Sequence, residues 1–134
     1  MSEFQEPHSI SSLKGAPPGF SIAHSGRWVA CAVSAHTALG LDIELRDAAR
    51  DLAALAAQAF DAGEMAQWAR LHEQGGEQRV DGFYRLWSEK EARFKLGEGA
   101  GGHYLAVPHD ELSVVICSES PLDEAPGIEV VSLA

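Results

Sequence analysis

Cysteine is scarce. Cys31 and Cys117 are the only two in 134 residues, and no Cys-x-x-Cys pair occurs. That excludes a disulfide-stapled scaffold, and both are expected to be buried, reduced thiols of a cytoplasmic protein. Basic residues are also few, ten against twenty acidic ones, for a net charge of −10. Broad nucleic-acid binding needs a positive field against phosphate, so it is excluded, although a local basic pocket for a small phosphate ligand is not. Long apolar runs are missing as well. No run exceeds six residues, the length of Trp28-Val29-Ala30-Cys31-Ala32-Val33, where a membrane-spanning helix needs about twenty. Met1 to Ile10 carries charges and a proline and no apolar centre, so it does not read as a signal peptide. The six histidines are scattered without a His-Glu-x-x-His pair, which disfavours zinc. No Gly-x-Ser-x-Gly elbow supports acyl hydrolysis.

What remains is ordinary globular composition, 46% hydrophobic and 22% charged, in a chain long enough for one modest core. Residues 1–19, broken by Pro7, Pro17 and Pro18, read as an irregular lead-in, and 20–134 as a single domain. Phe20–Ala23 and Arg27–Ser34 look like strands joined by a turn at His24-Ser25-Gly26. Leu39–Leu45 is a third strand. Leu52, Leu55, Ala56, Ala59 and Phe60 then fall at helical spacing. Asp61 with Glu64 three residues on resembles a capping box that opens a helix through Trp68 and Leu71. Residues 73–78 read as a Gly- and Gln-rich loop, and Arg79–Leu96 as a longer helix. Strands are expected near Tyr104–Val107, Glu111–Ser118 and Ile128–Leu133. Strands flank a helical middle, so the fold class is α+β, with a mainly antiparallel sheet packed on helices.

Two places depart from the simplest pattern, and both carry carboxylates. In Gly40-Leu41-Asp42-Ile43-Glu44 the side chains of Asp42 and Glu44 share one face of a strand. Two carboxylates about 6 Å apart repel by roughly 3 kcal/mol at an effective dielectric of about 20. An open, solvated face tolerates this, and a cation in a cleft relieves it. In the long helix the apolar stripe runs Val80, Phe83, Tyr84, Trp87 and then Phe94, and Lys90 and Glu91 occupy the positions between. Glu91 and Lys95 stand at i, i+4, which a solvated ion pair explains. A charge that interrupts an aromatic stripe instead suggests a partner or a metal. Asp42, Glu44 and Glu91 offer hard oxygen donors suited to Mg²⁺ before Ca²⁺. Lys90, Arg93 and Lys95 precede a segment with four glycines among residues 97–102, a combination suited to phosphate.

Four stretches in order are Phe20 to Trp28 with His24-Ser25-Gly26, Gly40 to Glu44, Phe60 to Glu64, and Trp87-x-x-Lys90-Glu91-Ala92-x-x-Lys95. Together they resemble the 4′-phosphopantetheinyl transferases over about residues 20–107. The closer likeness is to the surfactin-synthetase-activating type, shortened to about one half-unit. The resemblance implies transfer of 4′-phosphopantetheine from coenzyme A to a serine of an acyl or peptidyl carrier protein, with release of 3′,5′-ADP. It implies that Asp42, Glu44 and Glu91 hold Mg²⁺. Glu64 or Glu91 would accept the serine proton, and Lys95 would contact the phosphate. His24 and Lys90 would contact coenzyme A phosphates, and Trp87 would pack to fix the helix. Family members of this type are longer, with two similar halves and the site between them. A half-unit closed by its own N-terminal hairpin would therefore work as a homo-oligomer with the site at the interface. The alternative is a non-catalytic module that binds coenzyme A or carrier protein, or an excised domain inactive without a partner.

Overall fold

The computed structural model describes residues 19–97, 102–122 and 126–133. The lead-in expected over 1–19 lies outside them except for Gly19, which opens the first strand. The elements run β1 (Gly19–Ser25), β2 (Trp28–Ser34), β3 (Leu39–Leu45), α1 (Leu52–Ala59), α2 (Ala62–Gln74), α3 (Gly76–Leu96), β4 (His103–Ala106), β5 (Leu112–Ser118) and β6 (Gly127–Ser132). The strands form two antiparallel sheets, ordered β1-β2-β6 and β3-β5-β4. The α+β class expected from the pattern is the class observed. No helix among the described residues is long and apolar enough to cross a membrane.

Strand alternation sorts the core. Leu39, Leu41 and Ile43 of β3 join Leu112, Val114 and Ile116 of β5 and Ala23, Ala30 and Ala32 of the first sheet in one buried layer. β1 also runs beside β3, and side chains make the join. The Leu41 amide donates to Ser21 Oγ at 3.0 Å, and the Leu45 amide donates to Ser25 Oγ at 2.9 Å. A second cluster, including Leu52, Ala56, Phe60, Trp68, Phe83 and Tyr84, binds the helices to one another. Asp51 caps α1, and the Asp61–Glu64 capping box opens α2 as its spacing predicts.

Three local expectations need correction. The hairpin turns at Gly26-Arg27, because Ser25 already pairs with Trp28; this places His24 inside β1 rather than in the turn. Gly26 takes a φ of 58° there, a conformation open to glycine. The expected loop at 73–78 shrinks to Gly75 between the two helices, and φ values of 71° at Gly75 and 63° at Gly76 reverse the chain there. Phe94 does not extend a buried stripe, since it is 80% exposed. The N-terminal half of α3 packs on α1 and α2 through Phe83, Tyr84 and Leu86. Its C-terminal half turns small residues, Ser88 and Ala92, toward the second sheet. The aromatic stripe therefore leaves the core near Trp87.

Gly40 explains why those residues are small. A Cβ built at Gly40 would lie 2.3 Å from the Ala92 carbonyl oxygen and 2.8 Å from the Leu96 nitrogen. β3 and α3 thus meet backbone to backbone. Gly40→Ala should cost about 1–3 kcal/mol through overpacking, measured by urea denaturation.

Candidate active site

Gly40, Asp42 and Glu44 alternate onto the face of β3 that α3 covers, opposite the core residues Leu41 and Ile43. Asp42 is 5% exposed, and its Oδ2 is buried without a hydrogen-bond partner. Burial, then the neighbouring Glu44 carboxylate, pushes the Asp42 carboxyl up to about 8, against the partial relief of Lys95 and the Ser88 hydroxyl. Glu44 is half-buried and is likewise raised, first by burial and also by the charge of Glu91. Hydrogen bonds from Asp42 and the Trp87 side chain, and the charge of Lys95, pull it back. The charges that act on this pair therefore come from each other, from Glu91 and from Lys95. Glu91 acts on Glu44 through its field. Among the described residues no three His, Cys, Asp or Glu side chains form a ready-made metal site.

Lys95 is fixed by backbone oxygens. Its Nζ donates to the Leu41 carbonyl at 2.9 Å and to the Ile22 carbonyl at 3.4 Å, so it straddles β1 and β3 beside Asp42. Glu64 and Lys90 meet each other instead of the carboxylate pair. Lys90 Nζ lies 3.0 Å from Glu64 Oε1, which also accepts the capping-box hydrogen bond from the Asp61 amide at 2.8 Å. The ion pair joins the start of α2 to α3. His24 is exposed on β1, two residues beyond Ile22 and paired in register with Val29. The glycine-rich stretch lies outside the described residues over 98–101.

Two roles were missed in the sequence. Trp87, read as a packing residue, does stack 5.8 Å from Phe83, but its side chain also bonds Glu44. Ser88 is fully buried, lies with its Oγ 3.0 Å from Ser113 Oγ, and turns its hydroxyl to Asp42. The i, i+4 row Ser88, Ala92, Leu96 was the available signal, because small residues at that spacing mark a close helix face. A cavity of about 370 Å³ lies elsewhere, lined by residues that include Arg46, Asp81, Arg85 and His109. Its main cation is already engaged: Arg46 donates to the carbonyls of Leu112, His109 and Asp110 at 2.6–2.8 Å.

Comparison with known proteins gives this geometry a family. The profile described as "4'-phosphopantetheinyl transferase superfamily" matches residues 38–121, a span that contains Asp42, Glu44, Glu64, Lys90, Glu91 and Lys95. The chain belongs to the 4′-phosphopantetheinyl transferase superfamily. It is 29% identical over 125 residues to the 4′-phosphopantetheinyl transferase AcpT of Salmonella typhimurium, covering 84% of this chain and 64% of that protein. It is 36% identical over 96 residues to a 4′-phosphopantetheinyl transferase of Bacillus subtilis, covering 71% of this chain and 38% of the relative. It is 32% identical over 104 residues to AcpT of Escherichia coli K12, covering 75% and 52%. The chain thus spans between 38% and 64% of the length of these relatives.

The raised Asp42 carboxyl has a stability consequence. Below about pH 4 it is protonated in both the folded and the unfolded chain. Between about 4 and about 8 the unfolded chain has released this proton and the folded one holds it, so the group's contribution to stability falls as pH rises through that window. Metal-free protein should lose melting temperature across it. Asp42→Asn, which cannot ionise, should flatten that part of the profile and exceed wild type at pH 8. Thermal melts from pH 4 to 9 read both effects.

Proposed function

We propose that this chain transfers 4′-phosphopantetheine from coenzyme A to a serine of an acyl or peptidyl carrier protein, releasing 3′,5′-ADP. The observation that carries the reading is the buried, partnerless Asp42 Oδ2 beside a second carboxylate. A pair so placed is unfavourable alone and favourable around a cation. The donors are all hard oxygens, which fits Mg²⁺. Asp42, Glu44 and Glu91 would hold it, and its positive charge would offset the charge that builds on the diphosphate as the P–O bond breaks.

The remaining roles belong to the chain's own groups. Lys95, already anchored beside Asp42, takes the phosphate and stabilises the leaving group. His24, exposed on β1, and Lys90 take coenzyme A phosphates. Lys90 must then exchange the Glu64 carboxylate for phosphate, which leaves Glu64 Oε1 with the capping-box bond from the Asp61 amide. Glu64 or Glu91 accepts the serine proton. Residues 20–134 are read as one functional unit in the cytoplasm, with neither nucleic acid nor membrane as partner.

The test incubates apo carrier protein, coenzyme A and Mg²⁺ and weighs the carrier protein. Gain of one phosphopantetheine group is expected. Asp42→Ala and Glu91→Ala should each cut transfer by more than about a hundredfold while circular dichroism stays that of wild type. Coenzyme A binding without transfer would instead identify a binding module.

The reading includes self-association, with the site at the interface. The face of β1 and β2 turned from the core carries Phe20, Ile22, Val29 and Val33, of which Phe20 and Ile22 are exposed, and Ile22 carries one of the carbonyls that hold Lys95. Such an apolar sheet face beside the site supports contact with a second copy. Sedimentation should give an oligomer at assay concentration, and a fully active monomer would refute this part.

A further inference from the structure

We infer that Ser88 is a positioning residue for the metal: its hydroxyl, backed by Ser113, holds one oxygen of Asp42 so that the partnerless Oδ2 stays open to the cation. The inference rests on the reading above of Asp42 as a metal ligand. Ser88 stands one helical turn before Ala92, whose carbonyl meets Gly40, and Asp42 lies two residues beyond Gly40 on the same strand face. The helix therefore sets the Ser88 hydroxyl over Asp42, where it favours the charged carboxylate. Oδ2 takes no part, so the bond falls on the other oxygen. Ser88 is wholly buried, and solvent does not compete for its hydrogen.

That hydrogen has two claimants. Ser88 Oγ lies 3.0 Å from Ser113 Oγ, and Ser113 Oγ lies 3.2 Å from the Tyr84 carbonyl oxygen. A carbonyl only accepts, so Ser113 gives its hydrogen to Tyr84 and takes one from Ser88. A metal-holding Asp42 is a carboxylate and needs the Ser88 hydrogen itself. Charge-assisted hydrogen bonds are roughly twice as strong as neutral ones, so the carboxylate wins and the Ser88 hydroxyl rotates. Ser113 then turns its own hydrogen from Tyr84 to Ser88. The Tyr84 carbonyl keeps its helical bond from the Ser88 amide, four residues on. Both hydroxyls now point toward Asp42 in one chain, each strengthening the next. Trp87, the preceding residue, has no such choice, because an indole N–H only donates, and it bonds Glu44. Adjacent residues of α3 thus serve the two carboxylates, one with a fixed donor and one with a reversible donor.

Mn²⁺ is titrated into metal-free protein with coenzyme A present and no carrier protein, and its uptake is read from the fall of the free-ion electron paramagnetic resonance signal. Ser88→Ala should weaken Mn²⁺ binding about tenfold or more. Ser88→Cys, which enlarges the side chain but offers only a weak donor, should weaken it as well. One variant removes volume and the other adds it, so a loss shared by both belongs to the hydroxyl and not to packing. Ser113→Ala should weaken binding about twofold to threefold, and should add nothing in a Ser88→Ala background, because it acts only through Ser88. Wild-type affinity in Ser88→Ala or Ser88→Cys overturns the inference. So does Ser113→Ala that has no effect or the same effect in both backgrounds, and so does wild type that takes up no Mn²⁺. The transfer assay above is scored apart. Wild type that transfers while the serine variants keep full Mn²⁺ affinity loses only this inference. Wild type that holds Mn²⁺, with the expected losses in the variants, but does not transfer loses only the transferase reading.

Discussion

The approach of α3 to β3 at Gly40 is the contact on which the rest depends. A strand and a helix normally keep side chains between them. Here the Gly40 position would put a Cβ into the Ala92 carbonyl, and Ser88 and Ala92 present the helix's thinnest face to the sheet. The two carboxylates that follow Gly40 on the same strand face are then carried under the helix. Without that approach Asp42 and Glu44 would sit on an open strand, where water screens them and neither carboxyl moves far from its usual range.

The site also works against the fold that carries it. A buried carboxyl with a carboxylate neighbour and an unpaired oxygen lowers stability at neutral pH, and hydrophobic residues of the same volume would fill the space better. The chain nonetheless surrounds the pair with specific relief: the Trp87 side chain, the Ser88 hydroxyl and the Lys95 ammonium. Relief that is deliberate and incomplete is characteristic of sites prepared for a charged ligand.

Much of this was legible in the residues. Period-two alternation gave the β3 face, the Asp61–Glu64 spacing gave the start of α2, and the helical period gave most of α3. The rest was hidden for physical reasons. Phe94 sits at the correct spacing for the buried stripe, but spacing records a side of a helix and says nothing of where its neighbours stop. α1 and α2 end their contact before that turn. The 73–78 loop misled because glycine and glutamine were read as loop formers, whereas two successive glycines with positive φ sufficed to join two helices. Lys90 and Glu64 were each legible as charged groups near a site, but their ion pair joins residues 26 apart, a distance no local pattern spans.

The seam between β1 and β3 has its own consequence. Serine hydroxyls stitch these strands, and the Lys95 ammonium bridges a carbonyl on each. An ammonium has three N–H donors, and these two bonds leave one of them for an anion. A charge held there would be tied through one side chain to both strands, so whatever loosens the N-terminal hairpin would also loosen the cation's seat beside Asp42.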